Sequence, residues 1–428
     1  MSTYLVIKGG KRLSGTIPVY GSKNAALPII AATILTKTPC VIRNIPRVTD
    51  VHVMIDALRD MGAKVLWKDR RTVIIENKEI DPDKLSQSAV QKMRASILFC
   101  GPLLARFGEV RKMHYPGGCS IGARPIDVHL RSFEDLGAKV IRANNFFSIY
   151  REARPRSQNS VVLNEFSVTA TENVLLFASA VPEQTTIKIA AAEPHVADLA
   201  KFLTKTGARI HGAGTAQISI RGSANLIGAT HRIIADYIEA GTFILMALVA
   251  GRAIEIKNAP IEHLDLVIKK LRAAGGNIAC NHRKKTITVQ SGRKSLILDK
   301  VQIMPYPGIP TDLQSAFGVF AARTVGETLI HEPLYENRFA CLKELAKFGV
   351  RIKALDPHRA IVHGPTNLNA AEVSGHDLRS VAALVIAGLA AKGTTIVRGA
   401  EHVERGYENL EGRLLALGAN IKKVTTDD

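Results

Sequence analysis

Apolar positions along the chain alternate between two spacings. Helical spacing, with apolar residues three and four apart, runs through residues 198–203 and 264–271. Short β-branched runs follow at 285–289 and 359–363, and another strand pattern precedes the helices at 185–189, 253–256, 328–330 and 394–397. A second apolar helix lies earlier in each unit, as at 382–391. The junction between helix and strand repeats six times, at 61–65, 136–140, 206–210, 274–278, 348–352 and 417–421. Each copy carries a glycine (Gly62, Gly137, Gly207, Gly275, Gly349, Gly418), giving a period of about 70 residues. Glycine suits the left-handed residue that closes a helix. The predicted unit is therefore α/β, with two helices and about four strands. A unit of that size cannot bury its own faces, so six units predict two domains of three.

Bulk composition narrows the class. The 428 residues allow two or three domains, and 46% hydrophobic content supplies sizeable cores. The longest clean apolar run, residues 243–250, is too short to span a bilayer. The N-terminus reads as a strand entering a glycine turn rather than a signal peptide. Five cysteines at irregular spacing fit neither a disulfide framework nor a zinc site. The expectation is a cytoplasmic protein with no metal and no membrane association.

A net charge of +19 is the unusual quantity. It is compatible with nucleic acid, a membrane surface or small anionic substrates. Much of it lies in residues 68–71, 151–156 and 282–285, where hairpin turns are expected, and solvated turn tips account for it. Aromatic residues are only 5% and none interleave with these clusters, as stacking on single strands would require.

Several segments carry candidate chemistry. Pro116-Gly117-Gly118-Cys119-Ser120-Ile121-Gly122-Ala123-Arg124-Pro125 places a cysteine in a glycine-rich loop with an arginine five residues on. Cys40, Cys100 and Cys341 lie in apolar runs and read as buried hydrophobes. Cys119 fits that reading poorly, and a thiol beside arginine can serve as acid, base or nucleophile. Gly21-Ser22-Lys23-Asn24 opens an apolar helix toward Leu35, with Ser22 as N-cap and Pro28 expected to kink or shorten it. Lys23 sits where a helix N-terminus and a cation can jointly hold phosphate, or is simply a solvated first-turn lysine. Arg94, Arg338, Arg379 and Arg405 present forks that match carboxylate and phosphate, or form structural ion pairs. Asp312 lies in a stiff turn suited to a general base, with helix capping as the default role.

Together these motifs resemble the UDP-N-acetylglucosamine 1-carboxyvinyltransferase family of enolpyruvyl transferases. The resemblance covers essentially the whole chain. It rests on residues 21–28, 93–96 and 101–108, the Cys119 loop through Asp127, and residues 236–243, 306–314, 336–339 and 405–408. It implies two inside-out α/β barrels of three repeat units each, one of residues 22–233 and one of 1–21 with 234–428, with the active site in the cleft between them. The implied reaction transfers enolpyruvyl from phosphoenolpyruvate to the sugar 3′-hydroxyl of UDP-N-acetylglucosamine, releases phosphate, and commits the sugar nucleotide to peptidoglycan.

The resemblance also assigns roles. Asp312 matches the acceptor of the 3′-hydroxyl proton, and Cys119 the loop thiol that protonates the phosphoenolpyruvate methylene or aids product release. Lys23, Arg124 and Arg405 match phosphate-binding cations; Arg338 and Arg379 match those around the rest of phosphoenolpyruvate. Asn24, Arg94, Arg124, Pro125, Ile126, Asp127, Val128, Ser167 and Val168 match contacts to the sugar nucleotide, with Leu334 and Asp377 completing the substrate set. No cofactor and no nucleic-acid partner is implied, and a monomer is favoured. Glu165, Thr169, Ala192 and His195 depart from residues common in the family, which bears on UDP affinity and a local ion network. The shikimate-pathway enolpyruvyl transferase shares the six-unit plan but lacks the cysteine loop. An RNA-processing relative of the same unit fold would need base-stacking aromatics. An inactive paralogue is disfavoured because the expected catalytic positions are filled.

Overall fold

Strands of the chain are gathered in six sheets. The computed structural model describes residues 2–117, 125–152, 158–292 and 295–426, and among these five sheets have four strands and one has three. The four-stranded sheets share one plan. Cys40–Arg43 pairs in parallel with Thr230–Arg232 on one side and antiparallel with Thr72–Glu76 on the other, and Thr72–Glu76 pairs antiparallel with Lys64–Asp69. The same order of one parallel and two antiparallel pairings recurs around Gln184–Lys188, Gly251–Lys257, Gly326–His331 and Thr394–Arg398. In the last of these the N-terminal strand Ser2–Lys8 is central, flanked by Thr394–Arg398 and Asn420–Thr426. The chain's first strand thus completes its final repeat.

Contacts divide the chain into two units. A first unit holds the described residues between 21 and 234; a second joins Met1–Tyr20 to Ala235–Asp428. Each is built on three helices that are apolar nearly all round. In the first unit these are Lys23–Ala32, Cys100–Phe107 and Val168–Ala178; in the second, Tyr237–Ala250, Gln314–Ala321 and Leu378–Ala390. A helix hydrophobic on every side must be surrounded by protein. The three helices of the second unit pack directly on one another and on the inner faces of its sheets. Outer helices such as Pro194–Thr206 and Asp265–Ala273 are two-faced and close the repeats.

All six repeat glycines have positive φ, from 84° at Gly137 to 122° at Gly207, the backbone that lets each helix stop and turn into its strand. Pro28 does not end its helix, so the shortening, one of the two expected effects, is not seen. The helix runs from Lys23 to Ala32 and continues as a 3₁₀ turn to Leu35, because burial of residues 25–32 outweighs the one hydrogen bond that proline removes. The basic segments 68–70 and 282–285 are exposed at hairpin turns. Among the described residues no helix is long and apolar enough to cross a membrane.

Candidate active site at the helix N-termini

The chemistry-bearing residues collect where the central helices begin. A helix start leaves backbone N–H groups unpaired and positive, which favours anions. In the second unit, Asp312 lies in the 3₁₀ turn Thr311–Leu313 that leads into Gln314–Ala321. It does not cap that helix, so the default sequence reading is corrected. Its carboxylate faces two guanidinium groups instead. Arg338 Nη2 donates to Oδ1 at 2.8 Å and Arg379 Nη2 to Oδ2 at 2.8 Å. Arg338 Nη1 also reaches Asp377 Oδ1 at 3.4 Å. The turn can seat here because Gly241, on the neighbouring helix, lies under Leu313: a Cβ there would meet Leu313 Cδ1 at 2.6 Å.

Each arginine is fixed by its own element. Arg379 opens the helix Leu378–Ala390, whose N-cap Asp377 accepts from Arg379 N and Ser380 N while Ser380 Oγ accepts from Asp377 N, a complete capping box. Its guanidinium lies 5.4 Å from the Tyr407 ring centroid. Burial works against the Arg379 charge, but Asp312, Tyr407 and Asp236 outweigh it, so its proton is held more tightly than usual. Arg338 stands in the 3₁₀ turn Glu336–Phe339. Both side chains are about 5% exposed, yet Arg338 Nε and Arg379 Nη1 have no hydrogen-bond acceptor among the described residues. Two buried cations with unpaired donors beside a carboxylate suit a small polyanion.

Asp236 caps the third helix of this unit, accepting from Ile238 N at 2.9 Å and Glu239 N at 3.0 Å. Its proximity to Arg379 brings all three helix starts together. Burial raises the Asp236 carboxyl, with Arg379 opposing. Arg405 ends the 3₁₀ segment Ala400–Arg405, which packs against Leu378–Ala390, and is half-buried. Leu334 is half-buried and donates its N–H to Glu332 Oε1 at 3.0 Å.

The first unit follows the same rule. Ser22 caps Lys23–Ala32 as expected, and Lys23 in its first turn pairs with Asp50 at 3.1 Å. Asn24 beside it is half-buried. Arg94 begins the 3₁₀ segment Arg94–Phe99 that runs into Cys100–Phe107, and its Nη2 donates to Pro125 O at 3.1 Å. Ser167 caps Val168–Ala178 through Ala170 N at 3.3 Å. Ile126 and Val128 are buried, whereas Pro125 and Asp127 are exposed.

A polar network ties the helix Val168–Ala178 to the segments beginning at Arg94, Cys100 and Asp127. Asn173 Oδ1 accepts from Gly101 N at 2.9 Å, and its Nδ2 donates to Ile97 O and to His129 Nδ1, each at 2.9 Å. An amide nitrogen only donates, so His129 Nδ1 accepts and Nε2 carries the proton, facing Thr169 Oγ1 at 3.1 Å. Thr169, a departure from the family pattern, thus has a partner.

Cys119 and Arg124 lie outside the described residues. Most of the other predicted residues stand at or beside helix starts, in two sets by unit; Arg405 instead ends a 3₁₀ segment and Leu334 lies between a strand and the Arg338 turn. Sequence reasoning missed Asp50, Asp236, His129, Asn173 and Glu332. Asp236 had a signal, an aspartate immediately before a long apolar run; the rest act through partners distant in sequence.

Comparisons with known proteins agree with this geometry. The family described as EPSP synthase (3-phosphoshikimate 1-carboxyvinyltransferase) matches residues 7–414. UDP-N-acetylglucosamine 1-carboxyvinyltransferase 2 of Carboxydothermus hydrogenoformans is 41% identical over 98% of this chain and 99% of its own. The UDP-N-acetylglucosamine 1-carboxyvinyltransferase of Coxiella burnetii is 40% identical over 99% and 96%. Among solved structures, the enolpyruvyl transferase NikO from Streptomyces tendae superposes with a TM-score of 0.89 at 24% identity, covering 100% of both chains. EPSP synthase from Acinetobacter baumannii superposes at 0.76 and 18%, covering 99% and 100%. With a family match over nearly its whole length and relatives at this identity, the chain belongs to the enolpyruvyl transferase family, among the UDP-N-acetylglucosamine 1-carboxyvinyltransferases.

Proposed function

We propose that this protein transfers the enolpyruvyl group of phosphoenolpyruvate to the 3′-hydroxyl of UDP-N-acetylglucosamine and releases phosphate, the first committed step of peptidoglycan precursor synthesis. The observation that carries the reading is Asp312 held between Arg338 and Arg379, of which Arg338 Nε and Arg379 Nη1 have no hydrogen-bond acceptor among the described residues. The 3′-hydroxyl oxygen attacks C2 of phosphoenolpyruvate as its proton passes to Asp312, and C3 gains a proton from Cys119. The resulting tetrahedral adduct loses a C3 proton and phosphate, leaving the enol ether. Addition and elimination are redox-neutral, so the residues supply acid, base and charge stabilisation.

Lys23, Arg124 and Arg405 bind the phosphate in this scheme, and Arg338 and Arg379 the rest of phosphoenolpyruvate. Asn24, Arg94, residues 124–128, Ser167 and Val168 hold the sugar nucleotide, and Leu334 and Asp377 complete the substrate set. The two units correspond to two inside-out barrels, residues 22–233 and residues 1–21 with 234–428. The enzyme acts in the cytoplasm as a monomer on small molecules alone. The direct test is phosphate release from phosphoenolpyruvate with UDP-N-acetylglucosamine, with each omitted in turn and with shikimate 3-phosphate as rival acceptor. Release that requires both named substrates is expected; release with shikimate 3-phosphate instead refutes the acceptor.

A further inference from the structure

We infer that Glu332 is a positioning residue for proton transfer at Asp312, acting through Thr311 and the turn that carries Arg338; this rests on the role proposed for Asp312. Glu332 follows the strand Gly326–His331 and is 0% exposed. Its main chain is tied twice to one residue: Glu332 N donates to His358 O at 2.8 Å, and His358 Nδ1 donates to Glu332 O at 2.8 Å. The side chain therefore starts from a fixed point.

Its two carboxylate oxygens hold different elements. Oε2 accepts from Thr311 Oγ1 at 2.6 Å, and Thr311 is the residue before Asp312. Oε1 accepts from Leu334 N at 3.0 Å, with Tyr335 N contributing, and that segment leads into the Arg338 turn. Arg338 then returns to Asp312 at 2.8 Å. The circuit Glu332–Thr311–Asp312–Arg338–Leu334 is closed, so one buried carboxylate sets both the base and one of its cations. Burial raises the Glu332 carboxyl, while the Thr311 and Leu334 hydrogen bonds and Arg338 favour its charge. A misplacement of about 1 Å at a reacting group can lower turnover about 100-fold, which gives such a residue leverage without substrate contact.

The test compares Thr311→Val, Thr311→Ser, Glu332→Gln and the Thr311→Val/Glu332→Gln double variant with the parent. Readouts are kcat, KM for each substrate and melting temperature. Thr311→Val should lower kcat about 10- to 100-fold and leave KM for UDP-N-acetylglucosamine within about 2-fold. Thr311→Ser keeps the hydroxyl and should restore kcat. The double variant should be no worse than the poorer single one, because both remove one interaction. Parent-like kcat in Thr311→Val, failure of Thr311→Ser to rescue, or kcat losses that merely track the folded fraction overturn the positioning role alone. A parent without phosphate release refutes the proposed function itself, and this role with it.

Discussion

Burial separates the cysteines. Cys40, Cys100 and Cys341 are buried, and burial pushes each thiol up, Cys341 to about 12. Cys280 is half-buried, and burial raises it too, with Arg272 opposing. The thiolate is the nucleophile, so all four should be poor targets for an epoxide. Fosfomycin is expected to leave its adduct on Cys119 alone, read by mass spectrometry of the digested protein. Because the family resemblance assigns Cys119 a proton, Cys119→Asp should keep measurable turnover and escape the drug, while Cys119→Ser should lose most turnover; a drug-sensitive aspartate variant contradicts this.

Glu172 gives a pH prediction at the same scale. It is buried, its Oε1 has no hydrogen-bond partner among the described residues, and burial, with Glu193 adding, raises its carboxyl well above the usual range. A carboxyl raised in the folded state binds a proton that the unfolded chain has released. Stability is then greater at low pH and falls as pH climbs from the ordinary carboxylate range toward the raised value. Glu172→Gln lacks this term. Its melting temperature relative to the parent should therefore rise between about pH 5 and 8; a constant difference across that range counts against a neutral, buried Glu172.

Elements explain what was legible in the sequence. The six helix-to-strand junctions could be read because their cause is local, a glycine at positive φ. Asp312, Arg338 and Arg379 could be named from motifs, but their mutual ion pairs join residues 26 to 67 positions apart, beyond any local pattern. The capping default for Asp312 failed for that reason: two cations compete for the carboxylate more strongly than backbone N–H groups do. Glu332, a lone acid after a strand, gave no signal at all. The tight crossing of the central helices was equally invisible. A Cβ at Gly101 would stand 2.5 Å from the Asn173 carbonyl oxygen, a backbone atom in the facing helix. Gly101→Ala should therefore destabilise the protein by about 1–3 kcal/mol, measured by denaturant unfolding; an unchanged midpoint would show that the helices separate freely.

For the molecule as a whole, part of the +19 surplus stands at exposed hairpin turns, while Lys23, Arg338 and Arg379 are buried or half-buried beside carboxylates that offset their charge. Neither presents aromatic faces for bases, so nucleic acid should be retained only through phosphate contacts. Filter binding to mixed-sequence RNA is expected to vanish by about 0.2 M salt, and sequence-selective binding above it would oppose the small-molecule reading. The six-unit plan and its α/β class were legible because repetition multiplies a weak local signal. Completion of the last sheet by Ser2–Lys8 was not legible from periodicity, since that pairing joins the two ends of the chain.

The central claim is that a carboxylate at Asp312 takes the acceptor's proton. Its most direct test is steady-state turnover of purified, folded Asp312→Asn, alongside calorimetric binding of UDP-N-acetylglucosamine. Asparagine can still accept one hydrogen bond from the flanking arginines but cannot take a proton at neutral pH. Turnover should fall by about 100-fold or more, with sugar-nucleotide affinity within about 3-fold of the parent. Near-parent turnover in that variant would contradict the account.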